Sequence, residues 1–219
     1  MLALELISQS LPPLKPEENG SKAIKWMEEF KVYHLPVVDD HRYLGLVSED
    51  EILDSNQLDL PVTEFLNDHR RPFVTDDQHI YDVLRTITAA DVSVIAVLES
   101  NGDFLGSVTL HDLLIKFEAL TAISQAGGIV VLEIEQNDYS LAKIAHVIES
   151  NDSKILSSYV SNKSNSRMEL TIKVDREELA PILQSLERHE YVVVGAFQEK
   201  QQLDDLRNRY DSFMRYINI

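Results

Sequence analysis

Two segments of the chain carry the same order of apolar and polar positions, at an offset of 60 residues. They run from Pro12 to Val38 and from Pro72 to Leu98. In each, an extended piece precedes apolar residues spaced three and four apart, which predict an amphipathic helix, and a short apolar run then predicts a strand. The pattern predicts an internal repeat. The apolar positions of the two helices are Ala23, Trp26, Met27 and Phe30 in the first copy and Val83, Ile87 and Ala90 in the second.

After the strand, both copies turn and return with a second shared pattern. The returning segments 43–53 and 104–114 both read aromatic-Leu-Gly, one variable residue, Val, and then Ser or Thr at the start of a predicted helix. The second turn is one residue longer and contains Asn101-Gly102, a hairpin signal. Each copy is therefore predicted to be a β-α-β-β-α unit, one in residues 1–60 and one in residues 61–120.

A different pattern begins at Gly127. Alternating or apolar runs predict strands at 128–134, 154–160, 168–174 and 191–197, with an amphipathic helix after the first strand and another after the third. This β-α-β-β-α-β order is the ferredoxin-like plan, predicted for residues 127–198. Apolar residues spaced three and four apart predict an amphipathic helix in residues 199–219. The predicted fold class is α+β. The apolar positions of that last helix are Leu203, Leu206, Tyr210, Phe213 and Ile217.

The charge of the chain limits its partners. The net charge is −17, and residues 1–120 hold 22 acidic and 9 basic residues, a net of −13. Nucleic acids and anionic membranes need a basic face, so neither is expected as a partner. The chain has no cysteine, which excludes disulfides, thiolate metal sites and cysteine nucleophiles. No basic residue precedes the first apolar residues, and no apolar stretch approaches the ~20 residues of a membrane span, so a cytoplasmic protein is expected.

The repeat in residues 1–120 resembles a tandem pair of CBS domains, the type found in cystathionine β-synthase. The resemblance rests on the two matched helix–strand–return segments and on the family signature Gly-h-x-Ser/Thr-x-x-Asp, where h is apolar. It implies that the two units pack through their sheets into one disc with two clefts. Such clefts commonly bind AMP, ADP, ATP or S-adenosylmethionine, so an adenosine compound is the expected ligand and no cofactor is required.

The two copies match the signature unequally. In the second copy, Thr109 and Asp112 both fall on the motif, whereas in the first copy Ser48 matches and Glu51 stands where the family has Asp. The hydroxyl stands where a helix N-terminus attracts phosphate. The acid one turn later can accept hydrogen bonds from the ribose hydroxyls. Since Glu is one methylene longer than Asp, the second cleft is predicted to be the better nucleotide site.

The resemblance implies further contacts to the ligand. His111 lies inside the second signature, so its side chain could face a phosphate group, and a surface histidine is the alternative interpretation. Apolar strand residues are expected to sandwich the adenine, and the candidates are Val74, Ile95 and Ala96, with Pro36 in the first copy.

An alternative explanation of both signatures needs no ligand. Ser48 and Glu51 have the spacing of a capping box, in which hydroxyl and carboxylate bond reciprocally to free N–H groups of a helix N-terminus. Thr109 and Asp112 can cap their helix in nearly the same way. The sequence therefore leaves nucleotide binding and pure helix capping open.

Residues 127–198 resemble an ACT domain, a small regulatory module of amino-acid metabolism. The best local match is the turn at 136–145, but ligand-binding members have Gly where this chain has Tyr139. A module used for subunit pairing is at least as well supported as an amino-acid site. The CBS–CBS–ACT order also resembles the acetoin-utilisation B type of bacterial regulatory protein.

These patterns predict a non-catalytic sensor. The chain has no P-loop, no G-x-G-x-x-G, no nucleophile elbow and no HExxH. An adenosine ligand in the CBS clefts would act through the ACT-like module, in a homodimer or on an unidentified protein target. The alternative is a ligand-free scaffold that uses both modules for assembly.

Overall fold

The computed structural model describes residues 1–67, 71–162 and 166–198 of the chain. The helix predicted at 199–219 lies outside these residues. The chain divides into two units, Met1–Lys116 and Phe117–Ile219.

The first unit is built from the predicted repeat. Its strands are β1 (His34–Asp39), β2 (Arg42–Ser48), β3 (Phe73–Thr75), β4 (Val94–Leu98) and β5 (Phe104–Thr109). Its helices are α1 (Gly20–Phe30), α2 (Glu49–Ser55), α3 (Ile80–Ala90) and α4 (Leu110–Thr121), the last of which continues into the second unit. Strands β1 and β2 pair antiparallel, while β4 pairs parallel with β3 and antiparallel with β5.

The first copy departs from the predicted β-α-β-β-α order, because its opening strand is reduced to a single bridge at Leu14. Leu14 N–H donates to Pro36 O at 2.8 Å, and Val38 N–H donates to Leu14 O at 2.9 Å. The residues around Leu14 include three prolines, which have no N–H to continue a ladder. The expectation of a full strand here was wrong for that reason. The prolines are Pro12, Pro13 and Pro16.

The N-terminal segment packs on the second copy rather than on its own. It forms a 3-10 turn at Ala3–Leu6, whose Ala3 and Leu6 belong to the core of the second copy. Ser8 N–H donates to Ser107 O at 2.8 Å. The Ile7 side chain occupies the space in which a Cβ on Gly106 would lie, 2.4 Å from that position. The glycine of the second signature thus allows the N-terminal segment to approach β5 closely.

The second unit is a four-stranded antiparallel sheet with its helices on one face. The strands are β6 (Gly128–Glu135), β7 (Ile155–Asn162), β8 (Arg167–Val174) and β9 (Val192–Gln198), in the order β7-β8-β6-β9. The helices are α5 (Leu141–Glu149) and α6 (Ala180–Arg188). Alternate strand residues, such as Val130, Leu132 and Ile172, form one core with the helix residues Ile144 and Ile182. The elements follow one another in the β-α-β-β-α-β order read from the sequence.

Candidate functional site

Ser48 and Glu51 form a closed pair at the start of α2. Glu51 N–H donates to Ser48 Oγ at 3.1 Å, and Ser48 N–H donates to Glu51 Oε2 at 3.3 Å. The Ser48 hydroxyl also donates to Glu51 Oε2 at 2.9 Å. Both halves of a capping box are therefore present. The same carboxylate oxygen accepts two hydrogen bonds from Ser48, so this acid is folded back on its own helix.

The pair lines a cavity of about 460 Å³, which we call the Ser48 cleft. The opposite wall comes from the other copy: the end of α3 and the linker that precedes β3. Tyr43 fixes that linker, because its hydroxyl donates to Pro72 O at 3.1 Å. Burial raises the pKa of Tyr43, although the positive charge of Arg71 acts to lower it. The hydroxyl therefore stays protonated and can donate. The residues beside Ser48 and Glu51 are His34, Leu46, Arg71, Pro72, Ala89, Ala90 and Val92.

Thr109 and Asp112 form a simpler pair at the start of α4. The Thr109 hydroxyl donates to Asp112 Oδ2 at 2.6 Å, and Asp112 N–H donates to Thr109 Oγ1 at 3.0 Å. Thr109 is 8% exposed, while Asp112 is half-buried. Here the carboxylate accepts one hydrogen bond from the threonine side chain, and its Oδ1 atom makes none of the hydrogen bonds found among the described residues.

This pair lines a cavity of about 390 Å³, which we call the Thr109 cleft. Its other wall again comes from the first part of the chain: the end of α1 and the N-terminal segment. Ser8 and Ser10 supply hydroxyls, and Lys31 supplies a positive charge. Lys31 follows α1 in the left-handed backbone conformation, with φ 56°. The remaining lining residues are Leu11, Phe30, Val32, Tyr33, Ser93, Leu110 and His111.

A hydrogen-bonded contact joins the two clefts where β1 and β4 begin. Tyr33 N–H donates to Ser93 Oγ at 2.9 Å, and Ser93 N–H donates to His34 Nδ1 at 3.3 Å. His34 lines the Ser48 cleft, and Ser93 lines the Thr109 cleft. Each cleft is therefore built from both copies, and the pair forms one structural unit.

The sequence profile of the CBS domain matches residues 3–56 and 62–119, which together are just over half of the chain. The chain belongs to the CBS-domain family. The predicted tandem pair of CBS repeats is confirmed.

Each of three similar proteins matches about half of the chain. The uncharacterized 17.7 kDa protein in the bps2 3′ region of Acidianus ambivalens is 27% identical over 104 residues, which are 46% of this chain and 63% of that protein. This chain therefore spans less than two thirds of that relative. A CBS domain pair/ACT domain protein from Thermotoga maritima matches with a TM-score of 0.49 and 22% identity, over 55% of this chain and 100% of that one. CBSX2 in complex with AMP matches with a TM-score of 0.46 and 23% identity, over 54% of this chain and 96% of that one.

The candidate CBS ligand residues separate into two groups. Ser48 and Glu51 line one cleft, and Thr109, His111 and Asp112 line the other. The hydroxyl and acid of each signature are thus together, and His111 lies beside the second pair as its sequence position suggested.

The four apolar candidates for the adenine sandwich do not line either cleft. Val74 is 1% exposed, and Ile95 and Ala96 are 0% exposed inside the core of the second copy. Pro36 is buried in β1. All residues of β4 are buried, because the strand is covered on both faces. These side chains lie in the core of the described structure, and a contact between them and an adenine stays a prediction. The apolar walls come instead from the ends of α1 and α3.

Ser107 is a departure from the CBS signature that the sequence reading missed. It stands at the apolar h position, where the first copy has Leu46. Its side chain is 1% exposed, and its Oγ atom has no hydrogen-bond partner among the described residues. A buried unpartnered hydroxyl costs free energy. The contributions of Ser8, Ser10 and Lys31 to the Thr109 cleft were also missed, since they come from segments outside the signature.

Residues 1–67, 71–162 and 166–198 contain no cluster of three or more His, Asp or Glu side chains placed to hold a metal ion. Within the same ranges, no helix is both long and apolar enough to cross a membrane.

The second unit has a large cavity of its own, of about 930 Å³. It lies between the turn into α5 and the turn from α6 to β9. Tyr139 is half-buried against the core and lines this cavity.

Proposed function

We propose that this CBS protein is a non-catalytic sensor that binds an adenosine compound in the Thr109 cleft. The observation that carries the proposal is the geometry of Asp112. Its carboxylate lies at a cavity of about 390 Å³, a size typical of small-molecule sites, and holds one hydroxyl of its own chain. It can accept further hydrogen bonds from ribose hydroxyls. AMP, ADP, ATP and S-adenosylmethionine, the ligand class that the CBS family implies, all carry these hydroxyls.

The surroundings of Asp112 supply the remaining recognition. The N-terminus of α4 and the side chains of Lys31 and His111 favour an anionic group. Phe30 and Val32 offer apolar surface to a base. The Ser48 cleft contains the cationic guanidinium group of Arg71, but its acid accepts two hydrogen bonds from Ser48. We therefore propose the Thr109 cleft as the stronger site.

The choice of ligand follows from charge. Because residues 1–120 carry a net charge of −13, the unit repels polyphosphates at long range. We expect AMP, adenosine or S-adenosylmethionine to bind more tightly than metal-free ATP. Isothermal titration calorimetry at low and high salt measures this, and added Mg²⁺ should reduce the difference for ATP. Metal-free ATP that binds about tenfold tighter than AMP would contradict the prediction.

The alternative is a scaffold without a ligand, and the complete capping box of Ser48 and Glu51 favours it for the first cleft. A thermal-shift screen of the full chain against adenosine compounds separates the two functions. A ligand that binds the folded state raises the melting temperature in proportion to the logarithm of its concentration. A melting temperature that no adenosine compound changes would favour the scaffold.

We further propose that the second unit is an ACT-like, ferredoxin-like module that pairs two chains in a cytoplasmic homodimer of the acetoin-utilisation B type. An edge strand with unpaired N–H and C=O groups invites pairing. Strand β9 lies at the sheet edge, and Val192 and Val194 are 56% and 46% exposed. Ligand in the clefts would then shift the balance between two arrangements of the dimer, or between free and partner-bound protein.

The homodimer has a direct test. We expect light scattering on the full chain at micromolar concentration to give twice the 25.0 kDa chain mass. Val194→Lys, which places a charge on the edge strand, should shift the mass toward the monomer, whereas Lys154→Glu, away from β9, should not. A monomeric unsubstituted chain would contradict the proposal.

A further inference from the structure

One face of the second unit's sheet carries apolar side chains that α5 and α6 do not cover. Strand residues alternate between the faces, and those that point away from the helices include Ile129, Val131, Tyr159, Thr171 and Phe197. We call this the open face. Tyr159 is 56% and Phe197 61% exposed within the described chain. The Phe197 ring lies beside Gly195, where a Cβ would be 3.2 Å from the ring atom Cε2.

The open face contains a groove of about 380 Å³. Ile129, Tyr159 and Thr171 form its floor, and Phe117 and Ile123 form one wall. The wall is tied to the sheet, because the Ser157 hydroxyl donates to Thr121 O at 2.7 Å. The groove is therefore a mainly apolar surface at one end of the sheet, and its wall is hydrogen-bonded to strand β7.

We propose that residues 199–219 of the same chain fold back over the open face, with their apolar residues in this groove. Strand β9 ends at Gln198, which pairs with Gly128, and Phe197 pairs with Ile129 on the groove floor. The chain thus leaves the sheet beside the groove, with 21 residues still to follow.

The length of this segment fits the face. Its apolar residues from Leu203 to Ile217 span about 21 Å as a helix at ~1.5 Å per residue. Strand β6 has eight residues, or about 26 Å at ~3.3 Å per residue. Residues 199–202 are available for the reversal of direction. A helix antiparallel to β9 would therefore run the length of the sheet.

Disulfide trapping tests the contact cleanly, because the chain has no cysteine. The full-length variant Tyr159→Cys with Leu206→Cys should form an intrachain disulfide under mild oxidation, since a disulfide needs Cα atoms within about 7 Å. The matched control is Tyr159→Cys with Asn208→Cys, whose second cysteine lies on the polar side of the helix. Non-reducing electrophoresis and intact mass distinguish intrachain from interchain bonds.

Each outcome decides the proposal. An intrachain bond with Leu206→Cys and none with Asn208→Cys supports it. An interchain bond would show that a second copy covers the open face. Equal bonding in both variants, or none in either, would also overturn the proposal.

A second measurement does not depend on disulfide geometry. In a Tyr159→Cys background, Leu206→Asp should speed maleimide labelling of the cysteine by about tenfold, because burial of the leucine is lost. The control Asn208→Asp adds the same charge on the other side and should leave the rate unchanged. Equal rates in the two variants would overturn the proposal even if one pair of cysteines disturbed folding.

Discussion

Replacing Asp112 with alanine should weaken the binding of AMP on the order of ten- to a hundredfold. The variant loses the carboxylate that we propose accepts the ribose hydroxyls, and hydrogen bonds to a charged group contribute roughly 1.5–3 kcal/mol. Calorimetry on the full chain gives the dissociation constant directly. A melting curve of the ligand-free variant separates this loss from the smaller cost of removing a helix-capping contact, about 1 kcal/mol.

The matched control is Glu51→Ala. It removes the acid at the corresponding position of the Ser48 cleft, where the Glu51 carboxylate completes a capping box with Ser48. We expect a decrease in stability of about 1 kcal/mol and a much smaller decrease in affinity than for Asp112→Ala. If Glu51→Ala abolished binding while Asp112→Ala left it intact, the Ser48 cleft would be the nucleotide site.

Gly127→Ala should destabilise the second unit by about 3 kcal/mol or more. Gly127 has φ +146°, a conformation that L-residues rarely adopt, and a Cβ there would lie 1.9 Å from Val174 O. The obstacle is a backbone atom of β8, which cannot move without breaking the pairing with β6. Backbone strain alone costs about 1–3 kcal/mol, and the clash adds to it.

Gly102→Ala is the control for Gly127→Ala. Gly102 also has a positive φ, +93°, but a Cβ there meets nothing within 4 Å. It should therefore lose only the conformational part of the free energy of unfolding, roughly 1–2 kcal/mol. Guanidinium titrations should be followed both by circular dichroism and by fluorescence of Trp26, the only tryptophan, which reports on the first unit. Gly127→Ala should leave the fluorescence transition unchanged. Equal decreases in the free energy of unfolding in the two variants would show that the second unit accommodates the new Cβ beside β8, and this would contradict the prediction.

The sequence alone determined the repeat and its signatures. Apolar spacings of three, four and two follow from the geometry of helices and strands, so the local elements could be predicted from them. The pairs Ser48–Glu51 and Thr109–Asp112 could be predicted for the same reason. At the start of a helix, the side chain of one residue lies close to the backbone N–H group three residues later. The prolines near Leu14, which are visible in the sequence, explain why the first copy lacks a full opening strand.

The walls of the clefts were decided only by the tertiary structure. Ser8, Ser10 and Lys31 line the same cleft as Thr109 because the N-terminal segment and the end of α1 pack on the other copy. No local pattern encodes this proximity of segments that are far apart in the chain. The same packing buries Ile95 and Ala96 on both faces of β4, so residues that look suited to an adenine became core. Periodicity tells which side chains avoid water, but the partner that covers them depends on how the two copies meet.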